Sequence, residues 1–298
     1  LMKIYRHFPK NHPPCILTIG NYDGIHLGHQ ALINKLTLMS KNLNLESAVM
    51  TFEPHPREFF SLKYSPQRII SLREKLEFFD SKNIDRVYVI KFNKDFSLLS
   101  GEDFTDNLQN QINVKKILVG KDFRYGKNRD SGVEEIKQSG IEVIALDEVK
   151  YLSQRVSSTI IRNALADGDF KLTKELLGRC YFISGKVVHG KKIGRQLGFP
   201  TANIHIHHKQ PPLSGVFAVK LDNMFGVANL GTRPTVSGEK KLYLEVHILN
   251  FSDDLYGKHV RVNFLKKIRD EFHFPTIEAL KSQIKLDILA TKDFISKL

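Results

Sequence analysis

Strand-like and helix-like segments alternate over the first half of this chain and stop alternating afterwards. Up to about residue 150, short apolar runs rich in β-branched residues are separated by helical patterns, which predicts a parallel, doubly wound α/β sheet with ligands at the carboxyl ends of its strands. From Tyr181 onward, strand-like runs follow one another and only the stretch beginning at Thr276 is helical, which predicts a mainly β barrel or sandwich. We therefore expect two domains, residues 1–180 and 181–298. The apolar runs of the first half are residues 15–19, 47–52, 86–92, 116–119 and 141–146.

Composition excludes several classes of protein. Apolar residues make up 41% of the chain and charged residues 26%, which is ordinary for a globular protein and too apolar for a disordered one. No run approaches the roughly 18 apolar residues of a membrane helix, and the first residues lack the apolar core of a secretion signal. Cys15 and Cys180 are far apart in the sequence, which excludes a disulfide scaffold and favours a reduced, cytoplasmic compartment.

The chain is strongly basic, with a formal net charge of +13. Such a surplus favours a polyanionic partner, either nucleic acid or phosphorylated small molecules. The basic residues are spread along the chain without a run of five or six, so no basic tail is present. A basic surface without a specific partner is the remaining alternative.

Two histidines three residues apart follow the first predicted strand. That strand ends at Ile19, a glycine-rich turn covers residues 20–24, and His26 and His29 share one face where a helix is predicted to start. Imidazole donors beside a helix N-terminus form a cradle for phosphates whose charge rises in a transition state. Gly28 removes a side chain that would block a nucleotide lying across the first turn. Histidines that only cap or pack the helix, or that bind a metal, are the alternatives, although no Cys or Glu follows at ligand spacing.

Four motifs follow one another in the first half. They are residues 20–30 (GNYDGIHLGHQ), 51–56 (TFEPHP), 119–126 (VGKDFRYG) and 155–159 (RVSST). Together they resemble the nucleotidyltransferase half of the bacterial bifunctional riboflavin kinase/FAD synthetase family. The resemblance implies a Rossmann-like nucleotidyltransferase in which the phosphate of FMN attacks the α-phosphate of ATP. It also implies that His26 and His29 stabilise the transferred nucleotidyl group rather than attack it.

The same resemblance implies further ligands in this half, each with a simpler alternative. His55, between two prolines, reaches a phosphate or lies in a surface loop, and Asp122 binds a flavin or ribose or is an ordinary turn aspartate. The hydroxyls at the start of the fourth motif's helix bind the leaving pyrophosphate with nearby arginines, or only cap the helix. The implied ligands of this half are Gly20, Asn21, Asp23, Gly24, Gly28, His55, Asp122, Arg155, Ser158, Thr159 and Arg162.

The second half begins with a sequence close to a phosphate-binding P-loop. Residues 185–192 (GKVVHGKK) lack the final Ser or Thr and lie among successive strands, so this interpretation is rejected. Residues 188–190 and 194–204 (GRQLGFPTANI) instead resemble the riboflavin kinase half of the same family. The resemblance implies a six-stranded Greek-key barrel whose glycines let a loop close over ATP. The nucleotide or flavin ligands that it implies are Gly190, Gly194, Arg195, Thr201, Asn203 and Arg269.

Three residues of this half bear directly on chemistry. Thr201 and Asn203 are two apart, so they face the same way on an extended segment, and their oxygens suit Mg²⁺ bound together with phosphate oxygens. A lone Thr-x-Asn is more often an ordinary turn. In residues 242–249, period-two alternation places Glu245 on the face opposite the apolar side chains, where a solvated strand residue is also typical. The resemblance assigns Glu245 as the general base that takes the proton of the riboflavin 5′-hydroxyl.

A local histidine cluster follows Asn203. Alternation puts His205 and His207 on one face, with His208 beside them, so a metal pair is one interpretation. No third ligand is evident, and a solvated loop is the alternative.

Taken together, the sequence predicts an enzyme that uses riboflavin, FMN and ATP, forms FAD, requires Mg²⁺, and acts without nucleic acid or membrane. Its oligomeric state is left open. A nucleotidyltransferase for another alcohol phosphate would share the histidine motif but would not explain the second half. A basic nucleic-acid-binding protein would explain the charge but neither set of motifs.

Overall fold

The computed structural model describes residues 1–61, 65–190, 193–207, 210–234 and 240–298. The chain forms two compact units, the first made of Leu1–Pro66 and Leu72–Ser157 and the second of Gln67–Ser71 and Ser158–Leu298. Within the described ranges, no helix is both long and apolar enough to cross a membrane.

The first unit contains a parallel sheet of six strands in the order β1-β4-β3-β2-β5-β6. The doubly wound sheet predicted from the sequence is confirmed, and the five predicted runs are β2 to β6. The central strand β2 is buried along its whole length, as expected for a parallel sheet covered on both faces. The strands are β1 (Lys3–Tyr5), β2 (Cys15–Ile19), β3 (Glu46–Glu53), β4 (Arg86–Lys91), β5 (Val114–Gly120) and β6 (Glu142–Leu146).

Helices connect these strands, and a short hairpin follows them. The first helix begins after His26, whose ring caps it, and ends at Leu43; the next residue, Asn44, adopts a left-handed conformation with φ 50°. A π-helical turn covers Asn107–Gln111, and a 3₁₀ turn covers Lys127–Arg129. The helices are α1 (Leu27–Leu43), α2 (Pro56–Phe60), α3 (Leu72–Ser81), α4 (Lys94–Ser97), α5 (Gly101–Asp106) and α6 (Val133–Gln138), and the hairpin is β7 (Lys150–Tyr151) with β8 (Gln154–Arg155).

The strand order defines a switch point at β2. The chain adds β3 and β4 on one side of β2 and then crosses to add β5 and β6 on the other side. In open α/β sheets, ligands bind outside the carboxyl ends of the strands at such a point. The segments that leave these ends are residues 20–26 after β2 and residues 121–122 after β5.

The second unit is built around a closed antiparallel barrel in the order β10-β13-β12-β11-β14-β9. The mainly β second half predicted from the sequence is confirmed. Helix α10 packs against β11 and β12 on the outside of the barrel, which explains why β11 is almost entirely buried. The elements are α7 (Ser158–Asp167), α8 (Phe170–Leu177), β9 (Phe182–Val188), α9 (Ile193–Gln196), β10 (Ala202–Ile206), β11 (Gly215–Leu221), β12 (Met224–Pro234), β13 (Lys240–Ile248), β14 (His259–Arg269) and α10 (Ile277–Ile295).

Helices α7 and α8 connect the sheet to the barrel. By their packing they belong to the second unit, where α8 contacts β14. Apart from the segment Gln67–Ser71, the compact units therefore divide after Ser157. A limit at residue 180 between the functional domains stays a prediction.

Candidate active sites

The loop between β2 and α1 adopts an unusual backbone. Tyr22, Gly24 and Ile25 have positive φ angles of 50°, 86° and 43°. Non-glycine residues seldom adopt such angles, and they persist only where the surroundings fix them. Tyr22 is one such anchor, because its ring is buried and its hydroxyl lies 2.8 Å from the Thr18 Oγ1. The loop is therefore held in one conformation at the switch point of the sheet.

His26 and His29 lie together at the end of this loop. Their rings are stacked with centroids 3.7 Å apart, and the His29 N–H donates to the His26 Nδ1 at 3.4 Å. A neutral imidazole that accepts at Nδ1 carries its proton on Nε2, which leaves the His26 Nε2 as a donor. A Cβ on Gly28 would lie 3.1 Å from the His26 ring, so this glycine makes room for the imidazole itself. The structure thus brings the two predicted histidines to one helix N-terminus.

A buried lysine supports the same loop. The Lys75 side chain has no exposed surface, and its Nζ donates to the Asn21 carbonyl oxygen at 2.7 Å. The Thr51 hydroxyl lies 3.4 Å from both the Lys75 Nζ and the Asn21 carbonyl. Sequence reasoning missed Lys75. The signal was its position four residues before the buried Phe79, which puts it on the buried face of α3.

His55 and Asp23 are buried, which disfavours a surface-loop role for His55. The His55 side chain caps α2, where its Nδ1 accepts from the Arg57 N–H at 3.1 Å, and the residue is 7% exposed. Asp23 is 2% exposed within the loop after β2. Both side chains are therefore fixed by their surroundings.

Asp122 and Arg155 form an ion pair at 2.6 Å, and Arg155 also pairs with Glu148 at 2.7 Å. The hydrogen bond with Asp122 raises the pKa of Arg155. A Cβ on Gly120 would lie 3.0 Å from the Asp122 carboxylate, so a larger residue there would require this carboxylate to shift slightly. The two predicted ligands thus lie together beside the end of β5, with the Asp122 side chain 59% exposed.

Ser158, Thr159 and Arg162 lie in the first turns of α7, in the second unit. The Arg162 Nε donates to the Gln67 carbonyl oxygen at 2.7 Å. Their predicted role in binding pyrophosphate stays a prediction.

In the barrel, strand register places three polar residues in one row. Asn203 of β10 lies opposite Glu245 of β13, and Glu245 lies opposite Asn229 of β12. Directly opposed residues of antiparallel strands point to the same face, with Cβ atoms roughly 4.5–5.5 Å apart. Leu244 and Val246, on either side of Glu245, are buried in the barrel interior. The predicted alternation of this strand is therefore correct, and Glu245 points outward beside Asn203.

Two glycines make room for the predicted magnesium ligands. A Cβ on Gly190 would lie 2.3 to 2.5 Å from the amide atoms of Asn203. A Cβ on Gly194 would lie 2.4 Å from the Phe199 carbonyl and 3.2 Å from the Thr201 Oγ1. Alanine at either position would displace the groups around these oxygens. The predicted contact of these glycines with nucleotide or flavin stays a prediction.

One more contact fixes the segment before Thr201. The His247 Nδ1 donates to the Pro200 carbonyl oxygen at 2.8 Å, and the His247 ring meets Phe199 edge to face at 5.9 Å. His247 is on β13, two residues after Glu245, so the strand that carries the carboxylate also holds the segment that carries Thr201. Sequence reasoning missed this role, because the two residues lie far apart in the chain.

Comparison with known proteins agrees with both halves of this description. The family model for FAD synthetase matches residues 8–160, and the model for riboflavin kinase matches residues 177–295. The bifunctional riboflavin kinase/FMN adenylyltransferase of Haemophilus influenzae is 41% identical over 292 residues, which is 95% of this chain and 94% of that protein. This chain belongs to the bifunctional riboflavin kinase/FMN adenylyltransferase family. It is therefore an enzyme with a kinase half and a nucleotidyltransferase half, and the predicted family and class are confirmed.

Two further likenesses extend over nearly the whole chain. The family member of Escherichia coli K12 is 41% identical over 290 residues, covering 94% of this chain and 92% of that protein. A crystal structure described as a macrolide-efflux protein from Streptococcus pneumoniae has a TM-score of 0.80 and 28% identity, and covers 98% of both chains.

For this family member, the structure gives Arg269 a partner within the protein. Its guanidinium donates to both Asp287 carboxylate oxygens at 2.8 to 3.2 Å and to the Asp270 carbonyl at 2.9 Å. Asp287 lies on α10, so this ion pair fastens the helix to the barrel. Contact of Arg269 with flavin or nucleotide stays a prediction.

Some predicted residues lie outside the described part of the structure. These are His208, the lysines at 191 and 192, and the side chain of Arg195. His205 and His207 have ring centroids 5.1 Å apart. No group of three or more His, Cys, Asp or Glu residues that could hold a metal ion is found within the described ranges.

Proposed function

We propose that the two reactions of this family are carried out by two separate sets of side chains, one after β2 and one on the barrel. The barrel phosphorylates riboflavin with ATP to give FMN and ADP. The first unit transfers the adenylyl group of a second ATP to FMN, giving FAD and pyrophosphate. The observation that best supports this division is the row of Asn203 and Glu245 on one face of the barrel, while the stacked histidines lie at the switch point of the sheet.

In the kinase half, Glu245 is the general base. Its carboxylate takes the proton of the riboflavin 5′-hydroxyl as that oxygen forms a bond to the γ-phosphorus of ATP. The bond from the γ-phosphorus to the bridging oxygen breaks, and ADP leaves. An outward-facing carboxylate on a strand whose neighbours are buried is fixed in position, because the apolar side chains on the other face lock the register.

Mg²⁺ is the metal that the barrel residues fit. The Thr201 hydroxyl and the Asn203 amide oxygen are hard, neutral oxygen donors, and Mg²⁺ combines few protein ligands of this kind with phosphate oxygens and water. Gly190 and Gly194 leave room around these donors that a Cβ would fill. When bound, Mg²⁺ supplies positive charge to the phosphates of ATP.

In the adenylyltransferase half, an FMN phosphate oxygen forms a bond to the α-phosphorus of ATP as the bond to pyrophosphate breaks. His26 and His29 stabilise the charge on the transferred group through hydrogen bonds, and the N-terminus of α1 adds its positive dipole. No base is needed, because the attacking phosphate is already an anion. The donor state of the His26 Nε2 supports this role.

The carboxyl ends of β3 and β5 contribute the remaining proposed ligands. His55 lies within the second motif and its ring is fixed by the hydrogen bond from the Arg57 N–H, whereas Asp122 of the third motif forms an ion pair with Arg155 of the fourth. We place the enzyme in the cytoplasm, where its cysteines stay reduced. Cys15 and Cys180 are both free thiols, which supports that location.

A product analysis tests the division. The protein is incubated with riboflavin, ATP and Mg²⁺, and FMN and FAD are separated by chromatography. Glu245→Gln stops FMN formation and leaves the conversion of supplied FMN to FAD unchanged, whereas His29→Ala does the reverse. Glu278→Gln and His7→Ala, which change exposed residues of the same types, leave both reactions intact. Loss of both reactions in either folded active-site variant would contradict the division.

A further inference from the structure

Lys75 is an unusual residue to find without any exposed surface. A buried ammonium is costly unless polar atoms surround it. Its Nζ donates to the Asn21 carbonyl at 2.7 Å and lies 3.4 Å from the Thr51 hydroxyl. Asn21 belongs to the first family motif and Thr51 begins the second. One charged group from α3 therefore joins the loop that leaves β2 to the strand β3.

The contact with Asn21 has a consequence for the next peptide N–H. A trans peptide is planar, so the C=O of Asn21 and the N–H of Tyr22 point in opposite directions. Because Lys75 draws the carbonyl inward, the Tyr22 N–H is turned away from α3. Among the described residues, no acceptor is found for this N–H. The loop that carries this donor leaves β2 at the switch point of the sheet, which is where ligands bind in folds of this kind.

The rest of the loop makes this orientation rigid. Positive φ angles at Tyr22 and Gly24 turn the backbone sharply, and the Tyr22 hydroxyl is tied to Thr18. Turns of this kind present successive N–H groups to an anion. The chain then enters α1 through His26, so the N–H of Tyr22 and the two histidines belong to one short segment.

We propose that Lys75 is a positioning residue for adenylyl transfer: by holding the Asn21 carbonyl, its buried ammonium directs the Tyr22 N–H at the phosphate chain of ATP. This inference rests on the proposed function of the first unit. The ligand group concerned is the polyphosphate rather than the adenosine, because a backbone donor backed by a cation selects for negative charge. Lys75 itself contacts no substrate.

Inhibition by the two parts of ATP tests this role. In the full chain, adenylylation of FMN is followed with pyrophosphate and adenosine as separate inhibitors. Lys75→Met keeps the length of the side chain and removes the ammonium. A hydrogen bond to a charged group has a net effect of about 10- to 100-fold, so the inhibition constant of pyrophosphate rises by about that factor. The constant for adenosine stays within about threefold of the wild-type value, the scale of a weak neutral hydrogen bond.

Thr51→Val is the second variant, because it removes a hydroxyl shared by Lys75 and Asn21 without removing a charge. It raises the pyrophosphate constant by about 2- to 5-fold, the effect of one neutral hydrogen bond. Arg73→Met is the matched control, since Arg73 is an exposed cation on the same helix and pairs only with Glu77 among the described residues. It changes neither constant.

Three results would overturn the proposal. Equal changes for pyrophosphate and adenosine in Lys75→Met would mean that the whole pocket has collapsed and that Lys75 only supports packing. No change for either inhibitor would mean that the contact with Asn21 is not used. If Lys75→Met does not fold, an unchanged pyrophosphate constant in Thr51→Val would refute the role. A wild-type protein that forms FMN but no FAD would instead refute the proposed function itself.

Discussion

Removing Asp287 separates a structural role of Arg269 from a role in binding flavin. The pair is largely buried, with the Arg269 side chain 17% exposed and the Asp287 side chain 4% exposed. Loss of one partner from a buried ion pair costs about 3–5 kcal/mol, because the other charge stays buried and uncompensated. Arg269 keeps its bond to the Asp270 carbonyl and its contact with the Phe272 ring at 4.6 Å. For Asp287→Ala we therefore expect the free energy of unfolding to fall by about 3 kcal/mol, the lower end of this range.

Inactivation by urea measures the loss of unfolding free energy separately for each half of the protein. With a slope of about 2 kcal/mol per molar urea, the midpoint for kinase activity falls by about 1.5 M. The midpoint for adenylyl transfer stays in place, because α10 belongs to the second unit and packs on the barrel. Without urea, Asp287→Ala keeps the wild-type KM for riboflavin.

Two further variants complete the test. Replacing both partners, Arg269→Met with Asp287→Leu, restores most of the midpoint, because apolar residues of similar volume avoid the buried charge. Asp293→Ala breaks an exposed pair between the last turn of α10 and Lys297, which lies just beyond the end of the helix, and leaves the midpoint almost unchanged. An unshifted midpoint in Asp287→Ala would refute the structural role of this ion pair, and a raised KM for riboflavin in that variant would point to a flavin contact instead.

Three other outcomes follow from the geometry. The pKa of His12 is lowered below that of the unfolded chain, mainly by burial and secondly by the positive charge of Arg86. The stability that the neutral His12 contributes is therefore complete above about pH 6.5 and is lost as the pH falls through the folded pKa. Between about pH 7.5 and 5, the free energy of unfolding should decline less for His12→Gln than for the wild type. Burial raises the pKa of Cys15 to about 12, so its thiol is unreactive at pH 8 in the native protein. Peptide mass spectrometry should therefore find iodoacetamide on Cys180 in the native protein and on Cys15 only after unfolding, and labelling of Cys15 in the native protein would contradict this. Gly190→Ala puts a Cβ 2.3 Å from the side-chain amide of Asn203 and lowers the rate of FMN formation by at least about tenfold. FAD formation from supplied FMN is the internal control.

The local patterns of the sequence were sufficient for the architecture and for the residues that lie next to motifs. Apolar runs gave β2 to β6, because the strands of a parallel sheet are buried on both faces. Alternation placed Glu245 outward, because its neighbours Leu244 and Val246 fill the barrel. The edge strand β1 escaped detection, since its three residues are mostly exposed and show no apolar pattern.

What the sequence could not provide are contacts between distant segments. Arg269 meets Asp287 only because α10 folds back onto the barrel. Lys75 meets Asn21 across 54 positions, and its burial contradicts the usual preference of lysine for solvent. Neither pairing leaves a periodic signal, because each depends on tertiary packing rather than on a repeating face.

The row formed by Asn203, Glu245 and Asn229 makes the site proposed for phosphoryl transfer sensitive to strand length. Each member comes from a different strand, and only the ladder pairing brings them level. Inserting a single residue between Tyr243 and Glu245 would rotate the carboxylate into the apolar lumen and push a leucine or valine out in its place. Insertions within the paired segments would therefore silence the enzyme far more often than insertions of equal size in the turns that join them.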